Sequence, residues 1–254
     1  MDIFKLREAI ISDYQDYVRG FVTPSDSRLD EYLSSQFGGG KFWPEPLVSL
    51  NPSFENGSKI SDLIKEGILH RDCESIFASR KQLFYHQDRA VRLAENNRNY
   101  ILTTGTGSGK SLSYILPIVN KVLKAGASAR GKIQAIIVYP MNALVNSQMS
   151  ELEGYLKDQN IVTANKYTGE DKEEQRKKIL ENPPSILLTN YMMLELILTR
   201  PEEKPLVAAA QNLEFIVLDE LHTYRGRQGA DVALLMRRLK YLLNASEVTC
   251  IGTS

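Results

Sequence analysis

The sequence predicts an α/β fold, a mostly parallel sheet covered by helices on both faces and preceded by a mainly helical accessory region. Three observations carry this reading. From Gln82 onward, short β-favouring apolar runs alternate with longer helical patterns, as strands joined by crossover helices do. Several of those runs, 133–138 and 213–218 among them, are apolar almost throughout, which suits strands covered on both sides. Residues 1–80 instead show helical periodicity broken by glycine and proline. The chain therefore divides into an accessory region over 1–80 and a main domain over 81–254.

In order, Ile3, Phe4, Leu6, Ile10, Tyr14, Tyr17 and Val18 recur at helical spacing and predict a helix over 3–19, ended by Gly20. A second short helix starts near Ser25 or Asp26, carries Leu29, Tyr32 and Leu33, and breaks at Gly38-Gly39-Gly40. Phe42 to Pro52 is too proline-rich for a central strand and reads as extended chain pinned to a surface by Trp43 and Phe54. Two brief helices follow, around 62–66 and 73–79. The alternation then runs helix 82–95, strand 100–104, helix 110–124, strand 132–138, helix 141–156 and strand 161–167. It continues with helix 170–181, strand 185–189, helix 190–199 and a loop containing Pro201 and Pro205. Strand 213–219, helix 228–243 and strand 248–252 complete it.

Composition narrows the class without naming a ligand. Among 254 residues, 31 basic and 31 acidic side chains cancel, so net charge points to no polyanionic partner. The two cysteines, Cys73 and Cys250, form neither a metal-site pair nor a disulfide framework. Met1 to Arg7 lacks the apolar core of a signal peptide, and no run reaches the roughly 20 apolar residues of a membrane span. The expected location is cytoplasmic, with no membrane partner.

Chemistry enters with Asn99-Tyr100-Ile101-Leu102-Thr103-Thr104-Gly105-Thr106-Gly107-Ser108-Gly109-Lys110-Ser111. A strand enters a glycine-rich turn and a helix leaves it, the context a phosphate-binding loop needs. Glycines let backbone N–H groups turn inward, and the helix N-terminus adds partial positive charge. Lys110 is placed to reach the β- and γ-phosphates and the Ser111 hydroxyl to sit on Mg²⁺. Thr104 occupies the place where the general pattern has a further glycine. Strand 213–219 delivers Asp219 and Glu220 to the carboxyl edge of the sheet, where such sheets bind ligands. Asp219 then holds Mg²⁺ and Glu220 orients or deprotonates the attacking water.

Thr104 to Ser111 together with Asp219-Glu220-Leu221-His222 resembles motifs I and II of superfamily 2 DEAD/DEAH-box (DExH) helicases. Further motifs follow in that family's order. Tyr85-His86-Gln87 resembles the Q motif, whose glutamine reads adenine. Pro140, Met141 and Asn142 resemble motif Ia, Thr168-Gly169-Glu170 the intervening glycine turn, Thr189 and Asn190 motif Ib, and Gly252-Thr253-Ser254 the start of motif III. The run Asp219 to Arg238 is similar to large bacterial helicases of the Lhr and MrfA kind. The resemblance implies the first RecA-like lobe of an ATP-dependent DNA or RNA helicase. It also implies a nucleotide pocket of Tyr85, Gln87 and 104–111, with Lys110, Asp219, Glu220 and His222 as catalytic groups, His222 coupling nucleotide to motif III. A single nucleic-acid strand would be held by Pro140, Met141, Asn142, Thr168, Gly169, Thr189 and Asn190. The adenine-stacking aromatic of that family falls on His70 here, leaving Tyr85 or Phe77 as substitutes. The expectation is that the second RecA-like lobe is missing here, leaving a lobe that binds ATP but turns it over slowly by itself. Two other readings fit the motifs. One is a motor subunit of a restriction or phage-defence system acting on duplex DNA; the other is a non-hydrolysing nucleic-acid-binding fragment.

Overall fold

The structure, a computed structural model, describes residues 2–22, 24–38, 53–105, 107–211 and 213–254. It divides into two compact units, Met1–Ser53 and Phe54–Ser254. The first holds helices α1 (Ile3–Gly20) and α2 (Ser27–Gly38), close to where the periodicity puts them. Asp2 caps α1 by accepting from the backbone N–H groups of Phe4 and Lys5 at 3.1 and 3.5 Å. The proline-rich stretch 42–52, with Trp43, lies outside the described residues.

The second unit is built on six strands: β3 (Tyr100–Leu102), β4 (Ala135–Tyr139), β5 (Ala164–Lys166), β6 (Ile186–Asn190), β7 (Phe215–Leu218) and β8 (Thr249–Thr253). They run in the order β3-β8-β7-β4-β6-β5, with every pairing parallel. Because alternate side chains leave opposite faces of a strand, β4 sends Ala135, Ile137 and Tyr139 to one core and Ile136 and Val138 to the other. The first core is closed by α5 (Tyr85–Glu95), α6 (Leu112–Ala125) and α7 (Asn142–Leu156). The second is closed by α8 (Glu173–Glu181), α9 (Tyr191–Thr199), α10 (Lys204–Ala209) and α11 (Gly226–Leu242). Helix α6 is buried without a break from Leu112 to Asn120, so the helix leaving the phosphate loop is a central member of its layer.

Residues 54–83 pack into the first core. Strand β1 (Asn56–Lys59) pairs antiparallel with β2 (Gln82–Phe84), and Ile60, Leu63, Leu69, Cys73, Phe77 and Leu83 share that core with α6. Helices α3 (Ile60–Lys65) and α4 (Cys73–Ile76) match the two brief helices expected here. The expected helix from Gln82 begins three residues later, because Leu83 is buried between less buried neighbours and Phe84 is extended at ψ 156°. The expected loop around Pro205 holds α10. Proline fits its first turn, where no N–H is needed.

Candidate nucleotide site and nucleic-acid edge

All six strands of a parallel sheet end at one edge, and the residues singled out from the sequence collect there. After β3 the chain turns through Gly107 and Gly109, both at positive φ, +77° and +69°. Thr104 and Ser108 close the turn with a hydroxyl–hydroxyl hydrogen bond of 2.6 Å, and Ser108 is wholly buried. Thr104 therefore supplies a cross-loop tie where the general pattern has glycine. Thr106 lies outside the described residues. Ser111 stands at the N-cap of α6 with its hydroxyl making no cap bond. The loop is also held from outside. The buried Gln87 donates its amide to the Gly109 carbonyl at 2.9 Å and accepts from the Phe84 N–H at 2.9 Å. A side chain at Gly109 would meet that amide at 2.7 Å, so glycine is required there for clearance as well as for φ. His86 Nε2 lies 3.0 Å from the Ser108 carbonyl, which can only accept, so Nε2 carries the proton. The glutamine expected to read adenine is thus engaged with the loop itself, while the neighbouring Tyr85 is exposed.

Asp219 and Glu220 follow β7. Glu220 adopts the left-handed conformation, φ 50° and ψ 48°, uncommon for a residue with a side chain. Its carboxylate lies 4.0 Å from Lys110 Nζ and 3.3 Å from His222 Nδ1. Asp219 is almost wholly buried. Burial pushes its carboxyl above the ordinary range and neighbouring Glu220 adds to this, against opposing pulls from the Thr253 hydroxyl and Lys110. Thr253, at the end of β8, joins both acids: its hydroxyl donates to the Asp219 carboxylate and accepts from the Glu220 N–H at 3.2 Å. The Ser254 hydroxyl is 3.2 Å from His222 Nδ1, and the Ser254 N–H donates to the Leu102 carbonyl at 2.9 Å. The ends of β3, β7 and β8 are therefore stitched into one polar cluster. A buried carboxylate held above its ordinary range and a serine hydroxyl at the end of the glycine loop are oxygen donors of the kind a hard divalent cation takes.

Along the same edge, Pro140 and Met141 follow β4, and Met141 is exposed. Asn190 caps α9 by accepting from the Met193 N–H at 2.7 Å, and donates to Asn142 at 2.6 Å. The two loops are thereby joined. The small-polar-contact reading needs correction at two positions. Thr189 is buried and donates to the Tyr167 carbonyl at 2.7 Å. Thr168 is buried with its N–H and hydroxyl on Asp171 at 2.6 and 2.9 Å. Both hydroxyls are spent on the fold, which leaves the exposed backbone at Gly169 and the loop starts to face outward.

Sequence reasoning missed Thr253 as the bridge between the acids, His86 on the loop, and Asp171 holding the Thr168 turn. A hydrogen-bonding residue one position before Gln87 was a usable signal. The other two depend on which strands become neighbours.

Residues 84–254 match the family described as DEAD/DEAH box helicase. The chain is 32% identical over 160 residues to the uncharacterized ATP-dependent helicase YprA of Bacillus subtilis (strain 168), covering 63% of this chain and 20% of that protein. It is 31% identical over 190 residues to the uncharacterized ATP-dependent helicase MJ1574 of Methanocaldococcus jannaschii, covering 71% and 27%. The crystal structure of the DUF1998 helicase MrfA bound to DNA and AMPPNP superposes with a TM-score of 0.71 at 26% identity, covering 87% of this chain and 30% of that one. The chain thus spans less than a third of the length of each. Motif order, a parallel sheet that sets Glu220 beside the loop lysine, and this match agree: the chain belongs to the DEAD/DEAH box helicase family.

Proposed function

We propose that this chain is the ATP-binding lobe of an ATP-dependent nucleic-acid helicase or translocase, with single-stranded DNA as the strand it grips. The observation that carries the reading is the convergence of Lys110, Glu220, Asp219 and Thr253 at the mouth of the glycine loop. In this reading the loop N–H groups and Lys110 bind the phosphates, and Glu220 orients the attacking water. Thr253, Ser254 and His222 link the nucleotide to the rest of the edge. Asp219 and Ser111 are the groups that would hold Mg²⁺, whose charge offsets that developing on the transferred phosphoryl group. Exposed backbone at Met141, Gly169 and the start of α9 is offered to the strand, a mode that positions phosphates without reading bases. The division into accessory region 1–80 and lobe 81–254 is proposed with one amendment: residues 54–80 are counted with the lobe, in whose compact unit they lie and whose core they share.

The test is titration of the chain with labelled ATP and Mg²⁺. Lys110→Ala is expected to weaken binding by at least tenfold, since a hydrogen bond to a charged group is worth about 1.5–3 kcal/mol. Unchanged affinity would place the nucleotide elsewhere.

A further inference from the structure

Upstream of the family-matched residues, the segment 54–58 is fastened to the start of α5 at every step. Asp88 accepts from the Ser58 N–H and hydroxyl at 3.0 and 2.7 Å, and the Glu55 carbonyl accepts from the Tyr85 N–H at 2.8 Å. The Gln82 amide donates to the Gly57 carbonyl. At Gly57 a Cβ would come within 2.7 Å of the Asp88 Cβ and 3.0 Å of the Phe84 carbonyl, so the strap lies as close to α5 as a backbone can. This fastening sets the Phe54 ring against two others: Phe84 at 5.3 Å and His86 at 5.6 Å in edge-to-face geometry, with Phe84 stacked on His86 at 5.8 Å. The imidazole is thus packed by two aromatic rings and directed at the Ser108 carbonyl in the glycine loop.

We propose that Phe54 is a positioning residue for the phosphate loop, acting through His86. Phe54 fixes the imidazole plane, and the imidazole N–H fixes the loop carbonyl. The inward-turned N–H groups that follow it are thereby held ready for phosphate. This rests on the nucleotide reading given above. It differs from base stacking because the effect is transmitted to the phosphates and is independent of the base.

The experiment is calorimetric titration of the 254-residue chain and its variants with Mg²⁺-ATP and with Mg²⁺-tripolyphosphate, which carries no base. Phe54→Ala is expected to weaken both ligands by the same factor, about 3- to 10-fold for the loss of an aromatic pair. Phe54→Tyr, which keeps the ring, is expected to restore both. In a His86→Ala background, Phe54→Ala should have little further effect, since the relay is already cut. Phe54→Leu keeps apolar volume without a ring face and is measured alongside, so that a poorly folding alanine variant does not decide the matter. Its expected affinities are those of the alanine variant. A loss confined to ATP would overturn the relay and make Phe54 a base-stacking ring. Unaltered binding of both ligands by Phe54→Leu, or losses that simply add to that of His86→Ala, would overturn it too. If the unmutated chain binds neither ligand, the nucleotide reading itself fails, and this inference with it.

Discussion

At the scale of single residues, Thr253 has the largest consequence for its size. Its hydroxyl satisfies a buried carboxylate and an N–H on the strained Glu220, and Thr253 is itself fully buried. Thr253→Val keeps the shape and removes the hydroxyl from both groups, leaving the buried carboxylate with the Glu220 N–H, at an expected cost of about 1–3 kcal/mol measured by urea unfolding, while Thr253→Ser keeps most of the stability. His86 gives a pH signature. Burial holds its imidazole below the ordinary value, against the pull of its bond to Ser108. The folded chain therefore binds that proton less tightly than the unfolded chain. Its contribution to stability is flat above about pH 6.5 and is lost as pH falls below that value. Melting curves of the unmutated chain and His86→Asn should diverge on acidification and run parallel at neutral pH. Lys110, Asp219 and Glu220 were legible in the sequence because each sits a fixed few residues from a strand end. Thr253 was legible as part of a motif but not as a bridge, since that role exists only once β8 lies between β3 and β7.

Among elements, α6 does more than leave the phosphate loop. Its buried Asn120 accepts from the His70 N–H at 2.7 Å and donates to the Ile68 carbonyl at 3.0 Å, fastening the turn before α4 to the helix. Asn120→Ala strands the His70 N–H, while the Ile68 carbonyl keeps the Lys124 ammonium at 2.8 Å, and an expected loss of about 1–2 kcal/mol would appear in denaturant midpoints with little change in slope. His70 thus serves this junction through its backbone. Every strand from β3 to β8 was legible: β4, β6 and β7 as buried, mostly apolar runs, and β5, which reads Ala-Asn-Lys, only from its place in the alternation. Strands β1 and β2 were not, because four residues reading Asn-Gly-Ser-Lys carry no strand signal. The partner strand, the fit of Gly57 against α5 and the bonds from Ser58 to Asp88 hold them extended.

For the whole molecule, the parallel order gathers the nucleotide loop and the proposed strand-gripping loops at one edge, on different strands. The two ligands should therefore be separable by mutation. Lys110→Ala is expected to retain single-stranded DNA binding measured by fluorescence anisotropy without nucleotide. The logarithm of that affinity should fall linearly with the logarithm of salt and vary little among base sequences. A strong sequence preference at fixed salt would count against a backbone grip.

The pairing of β3 with β8, Tyr100 opposite Ile251, also orders events during synthesis. Among the described residues β3 joins the sheet through β8 alone, so the phosphate loop leaves the ribosome long before the strand that anchors it. Until then the loop hangs from an unpaired strand, and contacts so distant in sequence form slowly. ATP-binding competence should appear late and abruptly in translation. Nascent chains stalled after Leu243 should be nicked by protease near Gly107 and fail to stay on immobilised ATP, whereas chains carried past Ser254 should resist and be retained.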